Sequence, residues 1–72
     1  MKPIKIESTR SMSRKDVAAW LGALADQLAA GGEVELEREG LQLSFFVPNK
    51  VEVELELEIE GGKTELEIEL HW

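Results

Sequence analysis

Apolar and acidic residues alternate almost without interruption over the last third of the chain. Val51, Val53, Leu55, Leu57 and Ile59 interleave with Glu52, Glu54, Glu56, Glu58 and Glu60. A second run interleaves Leu66, Ile68, Leu70 and Trp72 with Glu65, Glu67, Glu69 and His71. Successive side chains on a strand point to opposite faces, so both runs predict strands with one oily and one acidic side. Between them Gly61-Gly62 signals a two-residue hairpin turn. That turn pairs Leu57 with Leu66, Leu55 with Ile68, Val53 with Leu70 and Val51 with Trp72.

Upstream, the same test on facing gives two shorter strands. A turn at Glu39-Gly40 pairs Leu36 with Leu43 and Val34 with Phe45. A three-residue loop, Pro48-Asn49-Lys50, pairs Val47 with Val51, Phe45 with Val53 and Leu43 with Leu55. A two-residue loop there would set Phe45 opposite Glu52 and is rejected. Three loop lengths thus agree on one buried face, which predicts a four-strand antiparallel meander. Before it, Val17, Trp20, Leu21, Leu24 and Leu28 form one stripe at helical spacing, predicting a helix from about Arg14 to Ala30. Ser13 caps it, Asp16 reaches back, and Met12 with Val17 is spaced as a hydrophobic staple. Gly31-Gly32 ends it. Pro3-Ile4-Lys5-Ile6-Glu7 predicts a short strand that joins an edge of the sheet. The predicted fold is α+β: a short N-terminal strand, one helix packed on the apolar sheet face, and the meander.

Size and charge narrow the function classes. Seventy-two residues form one domain, 1–72, near the limit at which a single core suffices. There is no cysteine, so neither a disulfide nor a thiolate metal site holds it together. No apolar run reaches spanning length, so no membrane association is expected. The start, Met1-Lys2-Pro3-Ile4, carries no apolar signal region, and the cytoplasm is the expected compartment. The net charge is −7. Residues 1–30 carry five basic and three acidic groups, whereas residues 31–72 carry three basic and twelve acidic ones. That second half repels a phosphate backbone, so nucleic acid is not an expected partner.

The acidic face is the foremost candidate for chemistry. The hairpin sets Glu58 opposite Glu65, Glu56 opposite Glu67 and Glu54 opposite Glu69. Like charges directly opposed across a sheet are destabilising. With Glu52, these residues define an acidic face that solvates the fold, docks a basic protein partner or mimics the charge of a nucleic acid. Calcium ranks low, because strong sites wrap the ion with six to eight oxygens and a flat sheet offers few. His71, opposite Glu52, is the single histidine. One imidazole beside flat-sheet carboxylates is a poor set for zinc, which takes four ligands in a tetrahedron. No metal or cofactor is therefore expected. Nucleophilic catalysis lacks parts: Ser8, Ser11, Ser13 and Ser44 have only His71 as a base and no oxyanion-forming glycine loop. The rows of Glu lack the unequal environments that acid–base catalysis needs. No enzyme is expected.

Among the aromatics, Trp20, Phe45 and Trp72 fall on core positions, and Trp72 is expected to be buried despite ending the chain. Phe46 shares the Glu side. It is either tucked against the N-terminal segment or an anchor in a contact surface.

The segment from Ser13 to Leu21 (Ser-Arg-Lys-Asp-Val-Ala-Ala-Trp-Leu), its continuation through Leu24 to Leu28, Phe46-Val47-Pro48, the Val/Leu/Glu alternation and the final Trp72 together resemble the amphi-Trp domain family. The resemblance covers nearly the whole chain. It implies a single domain and brings no site residue with it.

Coverage turns these elements into a functional expectation. A four-strand face of ten-residue strands spans on the order of 600 Å². A 17-residue helix shields on the order of 250 Å². Monomers seldom expose apolar patches above a few hundred Å². The expected molecule is a small non-enzymatic interaction module that forms a homo-oligomer and presents its Glu face to solvent. The alternative is a metal- or ligand-binding protein using surface carboxylates and His71.

Overall fold

The computed structural model describes residues 3–38 and 40–72. One helix, α1 (Arg14–Ala30), precedes four strands: β1 (Glu33–Arg38), β2 (Leu41–Phe46), β3 (Glu52–Glu60) and β4 (Lys63–His71). The fold class is α+β. The α1 cap forms as its sequence dictates. Ser13 Oγ accepts a hydrogen bond from the Asp16 N–H at 3.0 Å, and the Val17 N–H donates to the Ser13 carbonyl at 3.0 Å. Asp16 also places a negative charge in the first turn, where the helix dipole favours it.

Gly32 joins the helix to the sheet. Its φ is 88°, a left-handed value that glycine adopts without steric penalty. The Val47 N–H donates to the Gly32 carbonyl at 2.7 Å. A Cβ at Gly32 would collide with the Val47 carbonyl oxygen. The start of β1 and the end of β2 therefore meet at a contact that only glycine permits. Buried apolar residues, among those described, are Val34 and Val47, on either side of this junction.

Both hairpins adopt the registers expected from facing. β1 and β2 pair antiparallel with Val34 opposite Phe45 and Leu36 opposite Leu43. The turn residue Glu39 lies outside the described residues. β3 and β4 pair with Val53 opposite Leu70, Leu55 opposite Ile68 and Leu57 opposite Leu66. Gly61 and Gly62 take φ values of 56° and 80° at that turn, as a primed two-residue hairpin requires. The ladder closes at Glu52–His71, so Val51 and Trp72 lie just beyond it.

The strands do not form one meander. They make two two-stranded sheets, β1–β2 and β3–β4. The expected pairs Val47–Val51, Phe45–Val53 and Leu43–Leu55 do not occur. Beyond the last β1–β2 contact, Val47 N–H to the Gly32 carbonyl, Pro48 has no N–H with which to start a ladder to β3. The N-terminal strand expected over 3–7 does not form either. Residues 3–13 carry no regular structure, and Ile4 and Ile6 are exposed. Lys5 and Glu7 instead pair at 3.0 Å in solvent, a contact of little energetic weight.

The helix lies beside β1 rather than across a four-stranded face, and none of its residues is buried. Gln27 makes the join. Its Oε1 accepts the Glu35 N–H at 2.6 Å, and its Nε2 donates to the Glu35 carbonyl at 3.2 Å. The amide thus serves β1 as a neighbouring strand would, on the edge away from β2.

Candidate interaction surface

The alternation of β3 and β4 separates two surfaces completely. Leu55 and Ile59 on β3 are each 71% exposed, and Leu57 is 61% exposed. On β4, Leu66 and Ile68 are similarly bare. These side chains share one face with Val53 and Leu70, so the exposure is a continuous apolar strip and not scattered residues. Scattered exposed apolar residues are ordinary, but a contiguous strip marks a contact site.

The strip is anchored at its base. Leu70 and Trp72 converge with Trp20, Leu24, Val34 and Phe45 on an apolar cavity between α1 and the first hairpin. The rings of Phe45 and Trp72 stack with centroids 6.3 Å apart and planes 21° apart. This stack brings the end of the second hairpin against the first. The expected burial of Trp72 is not found: it is 59% exposed. Its indole stacks on Phe45 and lines the cavity with Trp20 and Leu24, yet more than half of it stays open to solvent. Trp20 and Phe45 are also partly open.

On the opposite face, the expected carboxylate pairs are all in register: Glu54 with Glu69, Glu56 with Glu67 and Glu58 with Glu65. All six are exposed to solvent. Two basic side chains lie beside the rows. Lys63 reaches Glu65 at 3.2 Å near the turn. His71 Nε2 lies 3.6 Å from Glu52 Oε2 at the base, as the register implies. Among the described residues, no group of three or more His, Cys, Asp or Glu is arranged to hold a metal ion. Phe46, on β2, is 65% exposed, and with β2 in a separate sheet it does not share the Glu face through a common ladder. Its ring lies near Gly32, with Cε2 3.5 Å from where a Cβ there would sit.

Gln27 is the site residue that the sequence conceals. It follows Leu24 by three positions and Trp20 by seven, which turns it toward the apolar side of the helix. A polar residue at such a position is the one signal that it reaches a buried or backbone partner.

Whole-molecule dimensions are those of an open fold, to which the exposed segment 3–13 also contributes. The chain exposes 6938 Å², whereas a folded monomer of its mass exposes roughly 4,500 Å². Its radius of gyration is 14.3 Å, against about 11 Å for a compact domain of this length. No helix among the described residues is long and apolar enough to cross a membrane.

The family model described as the Amphi-Trp domain matches residues 1–72. No curated protein and no solved structure matches the chain.

Proposed function

The chain belongs to the Amphi-Trp domain family, and from that premise we propose that it is a small interaction module, without catalytic chemistry, that self-associates through the apolar strip of β3–β4. The observation that carries this reading is the contiguous exposure of Val53, Leu55, Leu57, Ile59, Leu66 and Ile68 on a single sheet face. A two-stranded hairpin alone in water is marginal. Covering this strip supplies the burial that the hairpin lacks, at roughly 25 cal/mol for each Å² of apolar surface removed from water. The Glu rows point the other way and stay hydrated, which keeps the assembly soluble.

Light scattering at micromolar concentration tests the reading. The expected mass is a multiple of the 8.1 kDa chain. A single-chain mass across the micromolar range defeats it.

A further inference from the structure

Resting on that reading, we infer that the partner on the strip is a second copy of this chain, stacked face to face with its β3–β4 apolar side inward and both Glu faces outward.

The strip fits a second copy in shape. β3 and β4 are nine residues each, so their shared apolar face is about 30 Å long and about 10 Å across, and a second copy offers a face of the same length and width. The chemistry also fits. Val53, Leu55, Leu57, Ile59, Leu66 and Ile68 carry no charge, so a basic partner has nothing to recognise on this side. An apolar strip is its own complement under a twofold axis, which sets the same patch on both copies.

Charge then selects stacking over edge pairing. Neighbouring strands lie about 4.8 Å apart. Joining two hairpins along an edge would give each joined Glu row a second like-charged neighbour, added to the Glu54–Glu69, Glu56–Glu67 and Glu58–Glu65 oppositions. Such neighbours are destabilising. Stacked sheets lie about 10 Å apart with outward side chains beyond that. The two Glu faces are then roughly 20 Å apart, past the Debye length of about 8–10 Å. Stacking buries the oily strip without enlarging the repulsion, whereas edge pairing enlarges the repulsion and leaves the strip wet.

The chain has no cysteine, so one introduced cysteine takes one spin label. Glu56 and Glu67 lie opposite each other at the middle of their strands, on the outer face. Glu56→Cys and Glu67→Cys, labelled separately, leave the apolar strip intact. Dipolar spectroscopy on the associated protein is expected to give distances beyond about 20 Å for both. In parallel, Leu57→Glu is expected to shift the protein to a single-chain mass by light scattering, while Glu56→Lys keeps the associated mass. A short distance, below about 15 Å at either label, means edge pairing and overturns the stacked arrangement while self-association stands. An associated mass that survives Leu57→Glu also overturns it, by placing the contact elsewhere. A wild-type monomer removes both the arrangement and the self-association beneath it.

Discussion

Gln27 holds the backbone of Glu35 at both ends of its side-chain amide, accepting from the N–H at 2.6 Å and donating to the carbonyl at 3.2 Å. These two bonds fix the helix to the outer edge of β1. They also occupy polar backbone groups that would otherwise be free to pair with another strand. Gln27→Ala removes both, and a typical hydrogen bond contributes about 0.5–1.5 kcal/mol. The expected loss is about 1–2 kcal/mol. Gln27→Glu keeps the acceptor but loses the donor and sets a carboxylate against the Glu35 carbonyl, so it too should fall below wild type. Urea unfolding of both variants is the measurement, and wild-type midpoints for both would remove this role.

Two glycine substitutions should act in opposite directions. Gly22 lies inside α1, and a methyl group placed there would have nothing within 4 Å. Gly22→Ala should therefore stabilise by about 0.5–1 kcal/mol through helix propensity. At Gly32 the φ of 88° and the Val47 carbonyl both oppose a side chain, and Gly32→Ala should cost about 1–3 kcal/mol. Thermal melting of the pair checks the sign of each. Equal shifts would contradict the close approach at Gly32.

The Glu face should make the hairpin sensitive to salt. Added NaCl screens exposed like charges, so the wild-type melting point should rise with salt. Glu67→Lys converts its opposition to Glu56 into an attraction, a change of about 0.2–1 kcal/mol in favour of the fold. The salt-induced rise should shrink in that variant. A melting point that falls as NaCl is added would show that repulsion across β3–β4 is not a destabilising force.

Phe45 and Trp72 should be energetically coupled. Their stacked rings bring the end of the second hairpin against the first, and aromatic pairs contribute about 0.5–1.5 kcal/mol beyond burial. Both rings are partly exposed, so the lower end of that range is expected. Phe45→Ala, Trp72→Ala and the double variant, each unfolded in urea, give the coupling directly. Strict additivity would reduce the stack to mere proximity.

Local order is legible in the residues, and the way the two hairpins meet is not. Turn glycines and alternation specify both hairpin registers, because a slip of one residue would turn every apolar side chain to the opposite face. Ser13 and Asp16 mark the helix start for a similarly local reason. The expected β2–β3 ladder fails because register counting says which residues would meet, not whether a three-residue link brings them together. There Pro48 offers no N–H to begin such a ladder. Ile4 and Ile6 alternate as a strand should, but two apolar side chains are a small reward for ordering a segment. The acidic face is fully legible, since a strand that pairs at all must put Glu54, Glu56 and Glu58 on one side. The exposure of Trp72 is not, because it depends on a neighbour that the chain does not supply to itself.

The bare strip on β3–β4 also makes protein concentration a variable of folding. Most of this hairpin has no tertiary neighbour of its own, so its two strands gain order together with whatever covers them. Dilution should then loosen the second half of the chain before the first. Amide hydrogens in residues 52–71 should exchange faster as the protein is diluted, while those of α1 keep their rate.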